Sequence, residues 1–138
     1  MNKKFWIGFV VVLVVLAILD TITNTLLLAG VYQETASLWR PEAEIKLGVV
    51  IISWVFIAFF FTLIFSKGYQ GKGVLEGVRY GLYVTGLMVI PAAYLTYAIM
   101  PVPYGMTLQW WVYGGITYVI LGTVLALIYG KTPSTPSA

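Results

Sequence analysis

The chain has 138 residues, 60% of them hydrophobic and only 9% charged, against about 25% charged in ordinary soluble domains, so a water-soluble globule is excluded. With no cysteine and no histidine, thiol–disulfide chemistry and the usual haem ligation fall away, and the five scattered acids offer no metal-ligand cluster. The formal net charge of +3 comes from bases that flank apolar runs; it speaks of membrane orientation, with no nucleic-acid partner, cofactor or metal expected.

No charged residue falls in Phe5 to Leu19, Leu47 to Phe65, Tyr80 to Met100 or Leu108 to Tyr129, and a helix of about 20 apolar residues crosses a bilayer. The predicted fold is therefore all-α, an integral membrane four-helix bundle in one domain over residues 1–130. Its helices are expected at about 5–31, 41–66, 73–100 and 107–130. The polar tail 131–138 is expected to be disordered.

The first helix begins after Met1-Asn2-Lys3-Lys4. It resembles a secretory signal, but Leu28 before Gly30 is too large for small-x-small cleavage, so the segment is read as retained. Extended to Val31 it would be about 40 Å long. Asp20, the only acid within an apolar run, lies about 22 Å along it, in the outer part of a ~30 Å hydrocarbon layer. It shares a helix face with Thr23 and Asn24. Acids and amides at that depth either stitch helices together by hydrogen bonds or mark a solute or proton site.

Trp39-Arg40-Pro41-Glu42-Ala43-Glu44 places a proline in a first turn and acids at a positive helix end, so the second helix is expected to start near Pro41. It would end at Ser66-Lys67-Gly68. A basic turn over 68–73 leads to the third helix, where Glu76 and Arg79 form a cytoplasmic rim able to pair or to meet a lipid phosphate. Gly73, Gly77 and Gly81 recur every fourth residue, followed by Thr85, and Gly115 and Gly122 lie on the fourth helix. Such small residues permit close helix packing, within the chain or in a dimer. Tyr80, Tyr83, Leu87, Ile90, Tyr94 and Tyr97 form a seam at spacings of three and four. Tyr94 and Tyr97 reach the depth of Asp20, to which a phenol can donate. Pro91 can kink this helix and open a cavity, and Thr107 can cap the fourth.

Lys3, Lys4, Lys67, Lys72, Arg79 and Lys131 fall on one side of this topology, Arg40 and Lys46 on the other. The positive-inside rule then predicts both termini in the cytoplasm. Phe5, Trp6, Tyr69, Tyr80 and Tyr129 near one boundary, with Tyr32, Trp39, Tyr104, Trp110 and Trp111 near the other, fit the same frame. Tyr32 to Trp39 echoes Tyr104 to Trp111, and Leu63 to Lys67 echoes Leu127 to Lys131. The echo suggests a parallel tandem repeat of two hairpins.

Leu38-Trp39-Arg40-Pro41, Lys67-Gly68-Tyr69-Gln70-Gly71-Lys72-Gly73 and Glu76-Gly77-Val78-Arg79-Tyr80-Gly81 together resemble a group of small, uncharacterised four-helix bacterial inner-membrane proteins. The resemblance covers nearly the whole chain; it implies the topology and a bacterial inner membrane, and carries over no functional residues. The first functional expectation is a non-enzymatic membrane protein acting through helix packing and association with lipid, with itself as a homo-oligomer, or with another membrane protein. The second is a small oligomeric transporter or channel with an outer polar cavity around Asp20, Asn24, Tyr94 and Tyr97. An enzyme ranks last, because a lone acid without histidine or cysteine supports few acid–base or nucleophilic arrangements.

Overall fold

The computed structural model describes residues 1–131, and these form four long helices: α1 (Lys3–Leu27), α2 (Leu47–Gly68), α3 (Val74–Ile99) and α4 (Tyr104–Tyr129). No strand occurs among the described residues. Each helix is long and apolar enough to cross a membrane, with mean hydropathy between 1.6 and 2.7. The chain is thus an all-helical bundle with four candidate membrane spans. The expectation for the tail lies, apart from Lys131, outside the described residues.

α4 is the hub, packing on α1 and α3 and touching α2. The core joins Val12 and Leu16 of α1, Ala58, Phe61 and Phe65 of α2, and Leu121, Leu125 and Ala126 of α4. The start of α1 and the end of α4 lie together: Lys4 Nζ donates to the Tyr129 carbonyl at 3.1 Å, and Tyr69 OH to the Gly130 carbonyl at 2.8 Å. At this end Tyr80 OH also donates to the Phe61 carbonyl at 2.7 Å, joining α3 to α2. Outward-facing Ile52, Phe56, Phe60 and Ile64 leave one side of α2 apolar and uncovered by protein.

The tightest packing is α3 against α4, and glycine makes it possible. A Cβ on Gly77 would run into the Gly122 carbonyl and come within 2.7 Å of the Ala126 Cβ; on Gly81 it would stand 2.6 Å from the Val119 Cα. Further along, a Cβ on Gly115 would stand 3.2 Å from Thr85 Cγ2, and one on Gly114 2.6 Å from Val89 Cγ1. The strip Gly77–Gly81–Thr85–Val89 therefore lies directly on α4, within one chain. Gly73 is not part of it: with φ +91 it is a left-handed residue entering α3, and only Lys131 lies near. Because this strip faces α4, most of the predicted tyrosine seam points away, with Tyr83 71% and Leu87 75% exposed.

Two spans carry a π turn, at Thr23–Leu27 in α1 and at Thr85–Val89 in α3. In α1, side chains occupy three successive carbonyls: Thr23 Oγ1 donates to Leu19 at 2.8 Å, Asn24 Nδ2 to Asp20 at 2.9 Å and Thr25 Oγ1 to Thr21 at 2.6 Å. Such side-chain donors compete with the helical ladder and loosen it, and Leu28 N reaches the Thr23 carbonyl instead, at 2.9 Å. α1 therefore stops at Leu27 rather than Val31, and the chain restarts as a short helix, Ala29–Glu34. In α3 the wide turn precedes Pro91, which then occupies the first turn of Ile90–Ile99. The missing N–H is absorbed without a cavity at that point; beside it lies a shallow apolar groove of about 290 Å³ against Trp39 and Trp110.

α2 begins at Leu47, not near Pro41. Pro41 starts a single 3-10 turn, Glu42–Glu44, after which Ile45 is extended. Glu42, Glu44 and Lys46 are exposed, and no neighbouring helix gives this charged stretch a face to bury. α4 begins at Tyr104, so Thr107 is not its cap: it lies inside the helix, fully buried, and its hydroxyl has no partner. The hairpins lend no support to a tandem repeat, since α3–α4 meet through glycine backbone while α1–α2 meet through large side chains such as Phe5 and Phe9 against Phe59.

Candidate functional site

At the end away from the termini, α1, α2 and α4 part around a cavity of about 350 Å³. Asp20, Thr23 and Asn24 reach it from one helix face of α1, Ser53 and Trp54 from α2, and Trp110, Thr117 and Tyr118 from α4. Asp20 lies seven residues before the end of α1, about 10 Å inside it. The Trp54 indole crosses from α2 and donates to Asp20 Oδ2 at 3.0 Å. An indole N–H in an apolar layer needs an acceptor, and Asp20 is the only acid within a span apart from Glu76 in the first turn of α3.

A second hydrogen-bonded chain ties this face of α1 to the connection between α1 and α2. Trp110 Nε1 donates to Tyr32 OH at 3.2 Å, Tyr32 OH to Asn24 Oδ1 at 2.9 Å, and Asn24 Nδ2 to the Asp20 carbonyl at 2.9 Å. Trp39 sets its ring edge-on to Tyr32 and Trp110, with centroids 5.5 and 6.0 Å away, and its indole donates to Thr35 Oγ1 at 2.9 Å. Burial pushes the Tyr32 phenol above its ordinary pKa; the Trp110 hydrogen bond works against this and the charge of Asp20 adds to it.

Of the residues singled out in the sequence, Asp20, Thr23 and Asn24 come together here; Tyr94 and Tyr97 do not. They sit exposed on α3 beside Tyr104, with Tyr94 OH 2.9 Å from Tyr104 OH and the Tyr97 ring 5.4 Å from that of Tyr104. Neither tyrosine borders the cavity around Asp20. Glu76 is also differently employed: its carboxylate accepts from Gln70 N, at 2.6 Å, and Lys72 N, at 2.9 Å. It fastens the α2–α3 turn, while Arg79 stays exposed.

Sequence reasoning missed Trp54, Tyr32, Trp110, Thr117 and Tyr118. For Trp54 a signal existed, since it lies about 10 Å inside α2, below the interfacial zone where tryptophan is ordinary. Among the described residues no group of three metal-ligating side chains occurs. The arrangement can hold a small molecule against a carboxylate and aromatic faces, and it offers no nucleophile–base pair. Comparison with protein-family models, with curated proteins and with solved structures returned no match.

Proposed function

We propose that this is a bacterial inner-membrane protein with both termini in the cytoplasm, acting as a small transporter that takes a solute into the cavity beside Asp20 from the outer side. The observation that carries the reading is Asp20 itself: Trp54 holds one carboxylate oxygen while the side chain borders about 350 Å³ of partly polar space. A purely structural cluster would fill that space with its own partners. The orientation rests on charge, because six of the eight bases lie at the terminus-bearing end. Lipid covers the apolar side of α2. The competing reading, action by association with a second copy or another membrane protein, draws on that same uncovered side of α2. Neither reading assigns a catalytic residue.

Because the chain has no cysteine, single-cysteine variants test the cavity directly. Thr117, 9% exposed, lines it. Thr117→Cys is expected to react with a membrane-impermeant maleimide added from outside, as is Ser37→Cys in the outer connection, while Ile64→Cys on the lipid-facing side stays unmodified. Reporter fusions after Lys131 and within 68–73 are expected to read cytoplasm, and one within 33–37 outside. A folded Thr117→Cys protein that stays unreacted while Ser37→Cys reacts would overturn the cavity reading.

A further inference from the structure

The hydrogen-bonding capacity left over on the cavity wall leans toward acceptors. The Trp54 and Trp110 indoles and the Tyr32 hydroxyl donate within the protein, to Asp20 Oδ2, Tyr32 OH and Asn24 Oδ1. Thr23 and Ser53 turn their hydroxyl protons back to the Leu19 and Val49 carbonyls, at 2.8 and 3.0 Å. A hydroxyl that has given its proton away can only accept. Facing the cavity are therefore the acceptor oxygens of Thr23 and Ser53 and Asp20 Oδ1, to which no donor of the described residues is bonded, together with the Thr117 and Tyr118 hydroxyls, which can donate or accept. The two bases of this end, Arg40 and Lys46, are exposed in the connection between α1 and α2, so no protein cation stands at the carboxylate.

Two further features narrow the chemistry. The rest of the wall is aromatic and aliphatic, with Trp54, Trp110 and Tyr118 around the acid. Ring faces attract a poorly hydrated cation, while calcium and magnesium take six or more oxygen ligands, for which a largely aromatic and aliphatic wall is a poor match. The volume of about 350 Å³ stands at the small end of the ~300–1,000 Å³ range of ligand sites.

We propose that the solute is a small organic cation, a protonated amine on a compact apolar group, whose ammonium sits on Asp20 Oδ1 and whose apolar part lies against Trp54, Trp110 and Tyr118. This rests on the solute-binding reading above. An ammonium supplies N–H donors for these acceptor oxygens and the opposite charge that a carboxylate within a membrane requires. Trp54 is then a positioning residue, fixing the carboxylate so that one oxygen stays turned to the ligand.

The test uses full-length Thr117→Cys protein in liposomes, with the maleimide reaction rate as readout. Benzylammonium at about ten times its Kd is expected to slow the reaction roughly tenfold, following 1 + [L]/Kd. The neutral isostere benzyl alcohol and sodium chloride at the same concentration are expected to leave the rate unchanged. Asp20→Asn, added to Thr117→Cys, is expected to keep the reaction and lose the protection. Equal protection by benzyl alcohol, protection by sodium chloride, or no protection by any probe would each overturn the cation assignment while the reactive cysteine keeps the cavity reading standing. A cysteine that does not react would instead remove the cavity reading beneath it. Should Asp20→Asn fail to fold, the contrast between benzylammonium and benzyl alcohol on the single variant decides the matter.

Discussion

At the end that carries the termini, α3 and α4 approach until the backbone of Gly77 meets that of Gly122, and polar groups there bond to nearby backbone, as Tyr69 does to Gly130 and Glu76 to Gln70 and Lys72. At the other end, large side chains hold α1, α2 and α4 apart, and polar groups bond to one another around a cavity. Although the Thr62, Thr107 and Tyr129 hydroxyls have no partner, both halves pair many of their polar atoms inside an apolar layer, where an unpaired group is costly. One does so by excluding space and the other by enclosing it. Closeness follows from missing side chains, which let backbones touch. The open half follows from a polar stripe whose side chains bond to three successive carbonyls of α1 and compete with the ladder there, and from two indoles too large to let the helices close.

The sharpest way to break this contrast is to put a side chain into the closed half. Gly77→Leu and Gly81→Leu each drive carbon into backbone of α4, where nothing flexible can give way. Loss of most folded protein in detergent is expected for both. Gly86, in the same helix, has nothing within 4 Å of an added Cβ. Gly86→Ala should therefore hold or raise the melting temperature, by about 0.5–1 kcal/mol of helix propensity. Normal melting for Gly77→Leu would mean that α3 and α4 are not in contact there.

In the open half the expected effects are smaller because there is room to adjust. Asp20→Leu removes the acceptor of the Trp54 indole and strands a buried donor, for a loss of roughly 1–3 kcal/mol. Asp20→Asn keeps an oxygen for that bond and should unfold close to wild type in thermal or denaturant melts. If the two variants melt alike, the Trp54 bond contributes nothing to holding α1 against α2.

How much of this was legible in the sequence differs between the halves for a physical reason. The four spans follow from uncharged runs, and the glycine strip from a four-residue period, because both are properties of a single helix. That α4 is the partner of Gly77 and Gly81 depends on tertiary packing, which no one-helix pattern carries. Asp20, Thr23 and Asn24 were legible as one face of α1, since three- and four-residue spacings bring side chains together. Tyr94 and Tyr97 were placed beside Asp20 by depth alone. Depth gives height along the membrane normal but not direction around the helix, and the π turn at Thr85–Val89 shifts the phase of everything after it. Trp54 was the readable residue that went unread: a mid-span indole and a mid-span acid, each in need of a partner.

The finest test of the enclosed half is Tyr32→Phe, which removes one hydroxyl and leaves the ring against Trp39. The phenol both accepts from Trp110 and donates to Asn24, so its loss uncouples the α1–α2 connection from α1 while leaving Trp54 on Asp20. A loss of about 1 kcal/mol is expected, the net worth of an ordinary hydrogen bond, with no change in oligomer size. The same variant has a pH signature. Burial holds the Tyr32 phenol above its ordinary pKa, so the unfolded chain ionises first. The stability tied to its protonated form is complete below about 10 and drains away as pH rises through the higher folded value. Wild type should therefore lose more stability than Tyr32→Phe between pH 9 and 11, the difference cancelling the contribution of the other tyrosines. Equal losses would place Tyr32 in solvent in both states and detach the α1–α2 connection from the cavity, leaving the bond from Trp54 to Asp20 as the polar clasp there.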